Sequence, residues 1–281
     1  MSSYRAKAIV LKAYKLGEAD KIVKLYSQKN GLIDAVAKGA RKIKSKFGGR
    51  LELFNFIDLE LASGKSLDII TGAEILKNFS NIPLDFNKFI FCQLISEIVL
   101  KMHLHTNEAS PVLFKLIYVC FNEIDSLPKD DIYSIEKVAC FFIAKFLKIT
   151  GYAPIIENCS SCGTAIVEEK SGKISFSIKM GGILCPICSK SQGNMPDMKK
   201  DLNLSHYNLI SDLFSRKFKD FRSVEFDNAV LEDVYKIIGD YFNYHTDCHI
   251  DCYNYLNKFA AGVSSSISST SSSVKSNLKV I

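Results

Sequence analysis

Four cysteines stand in two close pairs. Cys159-Ser-Ser-Cys162 is followed by Gly163, and Cys185-Pro-Ile-Cys188 comes after a gap of 22 residues. Two residues between cysteines let both thiolates approach one ion from a tight turn, and two such turns supply a closed tetrahedral shell. The gap exceeds the usual spacing of roughly 15 to 20 residues. The insert accounts for this, because residues 173–178 alternate like a strand and Gly181-Gly182 supplies a turn before the second pair. The pattern predicts one structural Zn²⁺ held by Cys159, Cys162, Cys185 and Cys188. Four thiolates leave no open position for water, so the ion would fold a ribbon rather than catalyse. Two unrelated pairs of buried thiols, or a Cys-x-x-Cys redox motif, are the competing readings. Cys248, His249 and Cys252 form a third small group without an evident fourth ligand, read here as packing. Cys92, Cys120 and Cys140 sit in apolar helical stretches and read as core.

The second group is basic. Residues 38–50 hold Lys38, Arg41, Lys42, Lys44, Lys46 and Arg50, and no acid. Lys and Arg in a glycine-punctuated loop can follow a phosphate backbone, giving sequence-independent, salt-sensitive affinity. The bland alternative is a solvated basic loop. Tyr14, Tyr26, Phe47, Phe54 and Phe56 could stack on bases; alternation places Phe54 and Phe56 in a core, and Phe47 is expected to be the exposed ring.

These residues need elements to hold them. The first 80 residues alternate with period two in five runs: 6–12, 21–26, 32–37, 51–61 and 67–74. Period-two alternation buries one face of a strand and wets the other. Five short strands in so short a span predict a small barrel of the OB type. After Pro83 the apolar spacing becomes helical over 86–105, 111–124, 133–149, 206–218 and 227–244. The expected architecture is therefore α+β. It comprises an N-terminal OB-fold (1–80), an α-helical domain (81–260) with an inserted Cys₄ zinc ribbon (159–188), and a Ser-rich tail (261–281). Nine of the ten residues 264–273 are Ser or Thr, which cannot bury apolar area, so that tail is expected to be disordered.

Charge sharpens the reading. The chain carries a formal +6. Residues 1–80 hold 15 Lys and Arg against 8 Asp and Glu, a net of +7, so the remainder sums to about −1. One small domain carries the whole excess, which implies a polyanionic partner for it. No apolar run of about 20 residues exists to span a membrane. The N-terminus lacks a signal-peptide pattern, so the expectation is cytoplasmic, and in that compartment cysteines stay reduced. There is no Walker loop, no Gly-x-Ser-x-Gly elbow and no His-Glu-x-x-His helix, so no catalytic residue is assigned.

Taken in order, several segments resemble the RecO family of DNA repair and recombination proteins. They are Gly17-Glu-Ala-Asp-Lys-Ile-Val23, Ala37-Lys-Gly-Ala-Arg-Lys42 with Ser45, Ala73-Glu74, and Thr150-Gly-Tyr-Ala-Pro154 leading to Cys159. The resemblance runs from about residue 4 to about residue 256. It implies a non-enzymatic, nucleoid-associated protein that binds single- and double-stranded DNA and anneals complementary strands. It also implies work with RecR, and help in loading RecA onto strands coated by single-strand binding protein. The acidic, apolar-ended tail of that protein would bind the helices between residues 84 and 150, where Lys101, Lys115, Lys137, Lys145 and Lys148 lie among apolar residues. Asp251-Cys-Tyr253 stands where the family has a basic element near the C-terminus, so no DNA contact is assigned there. An RNA-binding module would account for the charge, barrel and ribbon but not for the order of the motifs; a metal-dependent enzyme would account only for the cysteines.

Overall fold

The structure, a computed structural model, describes residues 2–102, 109–166, 174–191 and 198–250. The tail 261–281, Cys252 and the segment 251–253 lie outside these residues.

Five strands, β1 (Ser3–Leu16), β2 (Asp20–Ser27), β3 (Gly31–Ala37), β4 (Phe56–Ala62) and β5 (Asp68–Lys77), close into a barrel in the order β1-β2-β3-β5-β4. All pairs are antiparallel except β3–β5, where Ala35 and Val36 face Asp68 and Ile69. This is an OB-like barrel. Small and branched side chains fill it: Ala8, Val10, Val23, Leu25, Ile33, Ala35, Ile57, Leu59 and Leu61 are all buried. β1 is long enough to serve two cores. Ala6, Ala8 and Val10 point into the barrel, whereas Ile9 and Leu11 join the helical core.

One strand differs from expectation. The alternation beginning at Leu51 predicts an eleven-residue strand, but β4 starts at Phe56 and residues 50–54 are turns. Phe54 adopts a left-handed φ of 71°, rare for a bulky residue. Its amide donates to the Val10 carbonyl at 2.8 Å, and the Val10 amide donates to the Asn55 carbonyl at 3.0 Å. These bonds hold the turn at a register shift in β1 between Val10 and Lys12. Leu51 still fills the barrel while the Phe54 ring swings out of it, so apolar alternation persists without a ladder.

The helical domain begins with a short 3₁₀ turn, Ile82–Leu84, then α1 (Phe86–Met102), α2 (Pro111–Ser126) and α3 (Ile132–Ile149). α3 is its centre, with Ile135, Phe142, Phe146 and Leu147 wholly enclosed. Its start is fixed by Asp131, whose carboxylate accepts from the Ser134 amide at 3.2 Å. Such a cap satisfies one of the orphan N–H groups of the first turn. Next come strands β6 (Ile174–Ser177) and β7 (Gly182–Leu184), helix α4 (Pro186–Ser191) and strand β8 (Lys199–Leu202). The three strands make a sheet in the order β7-β6-β8. α5 (Leu204–Ser215), α6 (Phe218–Phe221) and α7 (Asn228–Thr246) follow.

The helix expected over 206–218 is α5, which ends at Ser215, so that Phe218 opens a separate short helix instead. The break has a local cause. Lys145 and Lys148 donate to the Phe214 carbonyl at 3.0 and 3.2 Å, satisfying an end that would otherwise need another turn. The barrel and helices share an aromatic seam. Phe54 meets Phe89 and Phe121 edge-on at 5.5 and 5.3 Å, and Phe56 meets Phe114 and Tyr118 at 5.6 and 5.4 Å. No helix among the described residues is long and apolar enough to cross a membrane.

Candidate nucleic-acid interface and metal centre

The cysteine pairs meet in space. Within the first pair, the Gly163 amide donates to the Cys159 carbonyl at 2.9 Å, and Gly163 takes φ 75°, which closes the knuckle. The Ser160 amide then donates to Ile183 at 2.8 Å, laying the first knuckle against β7. Cys185 follows that strand, and Pro186 opens α4, where its missing N–H costs nothing. Gly182 makes this approach possible: a Cβ there would lie 2.1 Å from the Ile155 carbonyl oxygen. The four sulfurs all lie within 4.8 Å of one another, the one such group of possible metal ligands among the described residues.

The two sulfurs of the first pair are tuned toward thiolate. The Thr164 hydroxyl and amide, with help from Cys159 and Cys188, depress the Cys162 thiol to about 6. Burial works against ionisation of Cys159, yet amide donation from Cys162, Cys185 and Ser161 brings it below the usual range. Cys188 is pushed the other way, first by its hydrogen bond to Cys162. The donor set, four sulfurs converging with backbone N–H groups aimed at them, fits a thiophilic metal ion.

The basic segment leaves β3 at Ala37 and runs as consecutive turns to Arg50. It is anchored to the β1–β2 hairpin. The Gly39 amide donates to the Asp20 carboxylate at 2.7 Å. Arg41 Nη1 donates to the carbonyls of Gly17 and Glu18 at 2.8 and 3.0 Å, and its amide donates to Ala19 at 2.9 Å. Lys46 Nζ donates to the Thr71 carbonyl at 2.6 Å. Arg50 closes back on the Lys46 and Phe47 carbonyls at 3.0 and 3.3 Å.

Phe47 corrects an expectation. It is 1% exposed and plugs the barrel beside Leu51. Its flanking charges made it look solvent-facing, but in a turn neighbouring side chains point different ways. Of the other rings, Tyr26 is buried, while Tyr14 is 39% exposed.

All six basic side chains are exposed, and among the described residues none has a carboxylate within ion-pair distance. Elsewhere on the barrel, Arg5, Lys21 and Lys24 are paired with Glu60, Glu52 and Asp34, whereas Lys7, Lys12, Lys15 and Lys29, like the segment, have no carboxylate within ion-pair distance among the described residues. The segment therefore presents uncompensated positive charge from a fixed platform.

Two family models cover the chain in this same order. "Recombination protein O N terminal" matches residues 1–79, and "Recombination protein O C terminal" matches residues 83–249. The chain belongs to the RecO family. Its relatives include the DNA repair protein RecO of Nocardioides sp., 37% identical over 186 residues, covering 66% of this chain and 74% of the relative. That of Cutibacterium acnes is 34% identical over 190 residues, covering 67% and 75%. That of Dehalococcoides mccartyi is 32% identical over 198 residues, covering 69% and 73%.

In this RecO-family chain, the helical lysines do not form one cationic row. Lys137 Nζ donates to the Arg222 and Val224 carbonyls at 2.9 and 2.7 Å. Lys145 and Lys148 cap α5, and Lys101 reaches Glu97 and the His249 carbonyl. Four of the five cations thus stitch the fold, because long stems can cover apolar surface while the ammonium takes a helix-end carbonyl. Lys115 lines an open crevice, with Gln28, Pro111, Val112, Phe114 and Tyr118. Cys248 is half-buried and packs against the helical core.

Proposed function

We propose that this chain is a non-catalytic DNA repair protein that binds single strands on its barrel and anneals complementary ones. The observation that carries this is the set of six uncompensated cations, Lys38, Arg41, Lys42, Lys44, Lys46 and Arg50, on an OB-like barrel. Clustered cations screen the repulsion between two strands without ATP, and phosphate contact confers no base preference. The repair role rests on relatives whose names state it. Duplex DNA, RecR and single-strand binding protein are its partners in this reading. Its task is to help RecA load onto coated strands, in the cytoplasm at the nucleoid.

The acidic tail of single-strand binding protein would lie in the crevice at the start of α2. Val112 is 64% exposed there beside Lys115. Through Gln28 the crevice adjoins a cleft whose free cations are Lys7 and Lys29, with Asp58 and the Glu60-paired Arg5 also lining it. One end suits an apolar residue and the other suits carboxylates. One Zn²⁺ at Cys159, Cys162, Cys185 and Cys188 would hold the ribbon.

Annealing of complementary labelled strands tests the central reading. Replacing Arg41, Lys42, Lys44, Lys46 and Arg50 together with Ala should abolish most binding and annealing while circular dichroism and metal content stay intact. A folded fivefold variant that anneals normally at all salt concentrations overturns it. Tighter binding to RNA than to DNA of the same sequence would favour an RNA-binding module instead.

A further inference from the structure

Ile43 stands at the middle of the basic segment, between Lys42 and Lys44, and is fully exposed at 105% of its reference surface. A single exposed aliphatic is ordinary on a protein surface. This one has company. Arg41 ties the segment to the carbonyls of Gly17 and Glu18, at the tip of the β1–β2 hairpin. Leu16 and Tyr14 precede that tip on β1, two positions apart and so on one side of the strand. Both are 39% exposed. Lys12 Nζ sits 5.1 Å from the centroid of the Tyr14 ring. Three exposed apolar side chains thus lie on the β1–β2 hairpin and on the segment tied to its tip. Glu18 and Asp20 are the acids at that tip, Asp20 being taken up by the Gly39 amide, and among the described residues neither they nor any other carboxylate pairs with Lys12, Lys42 or Lys44.

That setting selects the occupant. An apolar protein surface would have to desolvate the surrounding ammonium and guanidinium groups, which is costly without counter-charge. A polyanion supplies that charge, and the apolar surface a nucleic acid can offer is its bases. We propose that Ile43 is a base-contacting wedge. It inserts against unstacked bases of a single strand, with Tyr14 and Leu16 extending the contact, while the flanking cations hold the phosphates. This deepens the nucleic-acid reading above and rests on it. Aliphatic side chains are used in this way by proteins that separate base steps, and aromatic rings by those that bind single strands. The wedge would hold bases apart and unpaired, the state from which a complementary strand can pair.

Ile43→Ser removes the apolar group and changes no charge, so its signature differs from that of a lost cation. Affinity of the full chain for a single strand of mixed sequence should fall roughly fivefold at every salt concentration, reflecting lost apolar contact. Plots of log affinity against log salt for wild type and variant should stay parallel. On a strand carrying abasic sites the two proteins should bind alike. A 2-aminopurine in the strand should brighten less on saturation with the variant than with wild type. Equal affinity and equal 2-aminopurine response would overturn the wedge while leaving phosphate binding standing. So would a changed salt slope, which would mean that Ile43 only arranges the cations. A wild-type chain that binds no nucleic acid at any salt concentration would overturn the parent reading, and the wedge with it.

Discussion

The Cys162 sulfur lies 3.8 Å from the Cys185 sulfur, although 23 positions separate them in the chain. A tetrahedron with metal–sulfur bonds of about 2.3 Å has edges of nearly that length. Cys162 is exposed and Cys185 buried, so the pair does not owe its closeness to a shared apolar core. Among the described residues the ribbon's own buried cluster is Cys159, Leu184 and Cys185, with Ile166 and Cys188 partly buried against it. Protein purified without chelator should hold one zinc per chain by elemental analysis. On packing grounds, Cys162→Ser at an exposed site would shift stability by less than about 0.5 kcal/mol. A melting temperature lowered by several degrees, together with lost zinc, would show that the metal supplies the difference. Stoichiometric zinc in the Cys162→Ser variant would refute the four-sulfur site.

Phe54 and Ile43 should behave oppositely. Phe54 is wholly buried where barrel meets helices, packed on Phe89 and Phe121. Phe54→Ala should destabilise the chain by about 3–5 kcal/mol, the usual range for emptying an aromatic site. Phe47→Ala should also be costly, since that ring fills the barrel. Ile43→Ser should lie within about 0.5 kcal/mol of wild type. Urea unfolding midpoints measure all three. A tolerant Phe47 would mean that the basic segment does not seal the barrel as described.

Stability should depend on pH through Glu136. Burial, then the nearby Glu232 on α7, raises this α3 carboxyl to about 7, with Lys236 opposing. The ordinary value is 4.5, so between about 4.5 and 7 the folded chain holds a proton that the unfolded chain has lost. The favourable contribution is full below the lower value and fades as pH rises through the upper one. Glu136→Gln should therefore unfold at higher denaturant than wild type at pH 8, with a smaller difference at pH 5. An equal difference at both would place the carboxyl in water.

Much of this was readable in the residues, and the failures have definite causes. Cys-x-x-Cys pairs and a run of cations are local patterns, so Cys159 to Cys188 and Lys38 to Arg50 could be picked out directly. Strand existence followed from alternation, but the start of β4 did not. Leu51 and Phe54 are both buried, in two different cores, from a turn whose left-handed Phe54 leaves no sequence signature. Phe47 looked exposed because its neighbours are charged, whereas its burial is set by a barrel mouth that only the closed sheet creates. The lysines of α3 looked like a binding row because helix-end carbonyls such as that of Phe214 come from elements some 66 to 69 residues away. Ile43 could have drawn notice as the lone aliphatic among the cations of the segment.

The six basic residues divide by what they touch, and salt titration can separate the classes. Among the described residues, Lys38, Lys42 and Lys44 have no hydrogen-bond partner for their ammonium groups. Arg41 and Arg50 hold backbone carbonyls, and Lys46 holds Thr71. Substituting Lys38, Lys42 or Lys44 with Ala should leave stability unchanged. Each that contacts a phosphate should flatten the slope of log affinity against log salt by roughly 0.7 on single strands. The weakening should be alike for all sequences, because a phosphate contact carries no base information. Arg41→Ala should do both things: lose a charge, and release the segment from the hairpin at Gly17 and Glu18. Its affinity loss should therefore exceed that of Lys42→Ala. Arg41→Lys, which keeps the charge but not the two-carbonyl grip, should keep the salt slope and lose part of the affinity. If Arg41→Lys matched wild type in both, the anchoring of the segment would be irrelevant to binding. If Lys42→Ala and Lys44→Ala left the slope unchanged, these side chains would be solvated surface rather than phosphate contacts.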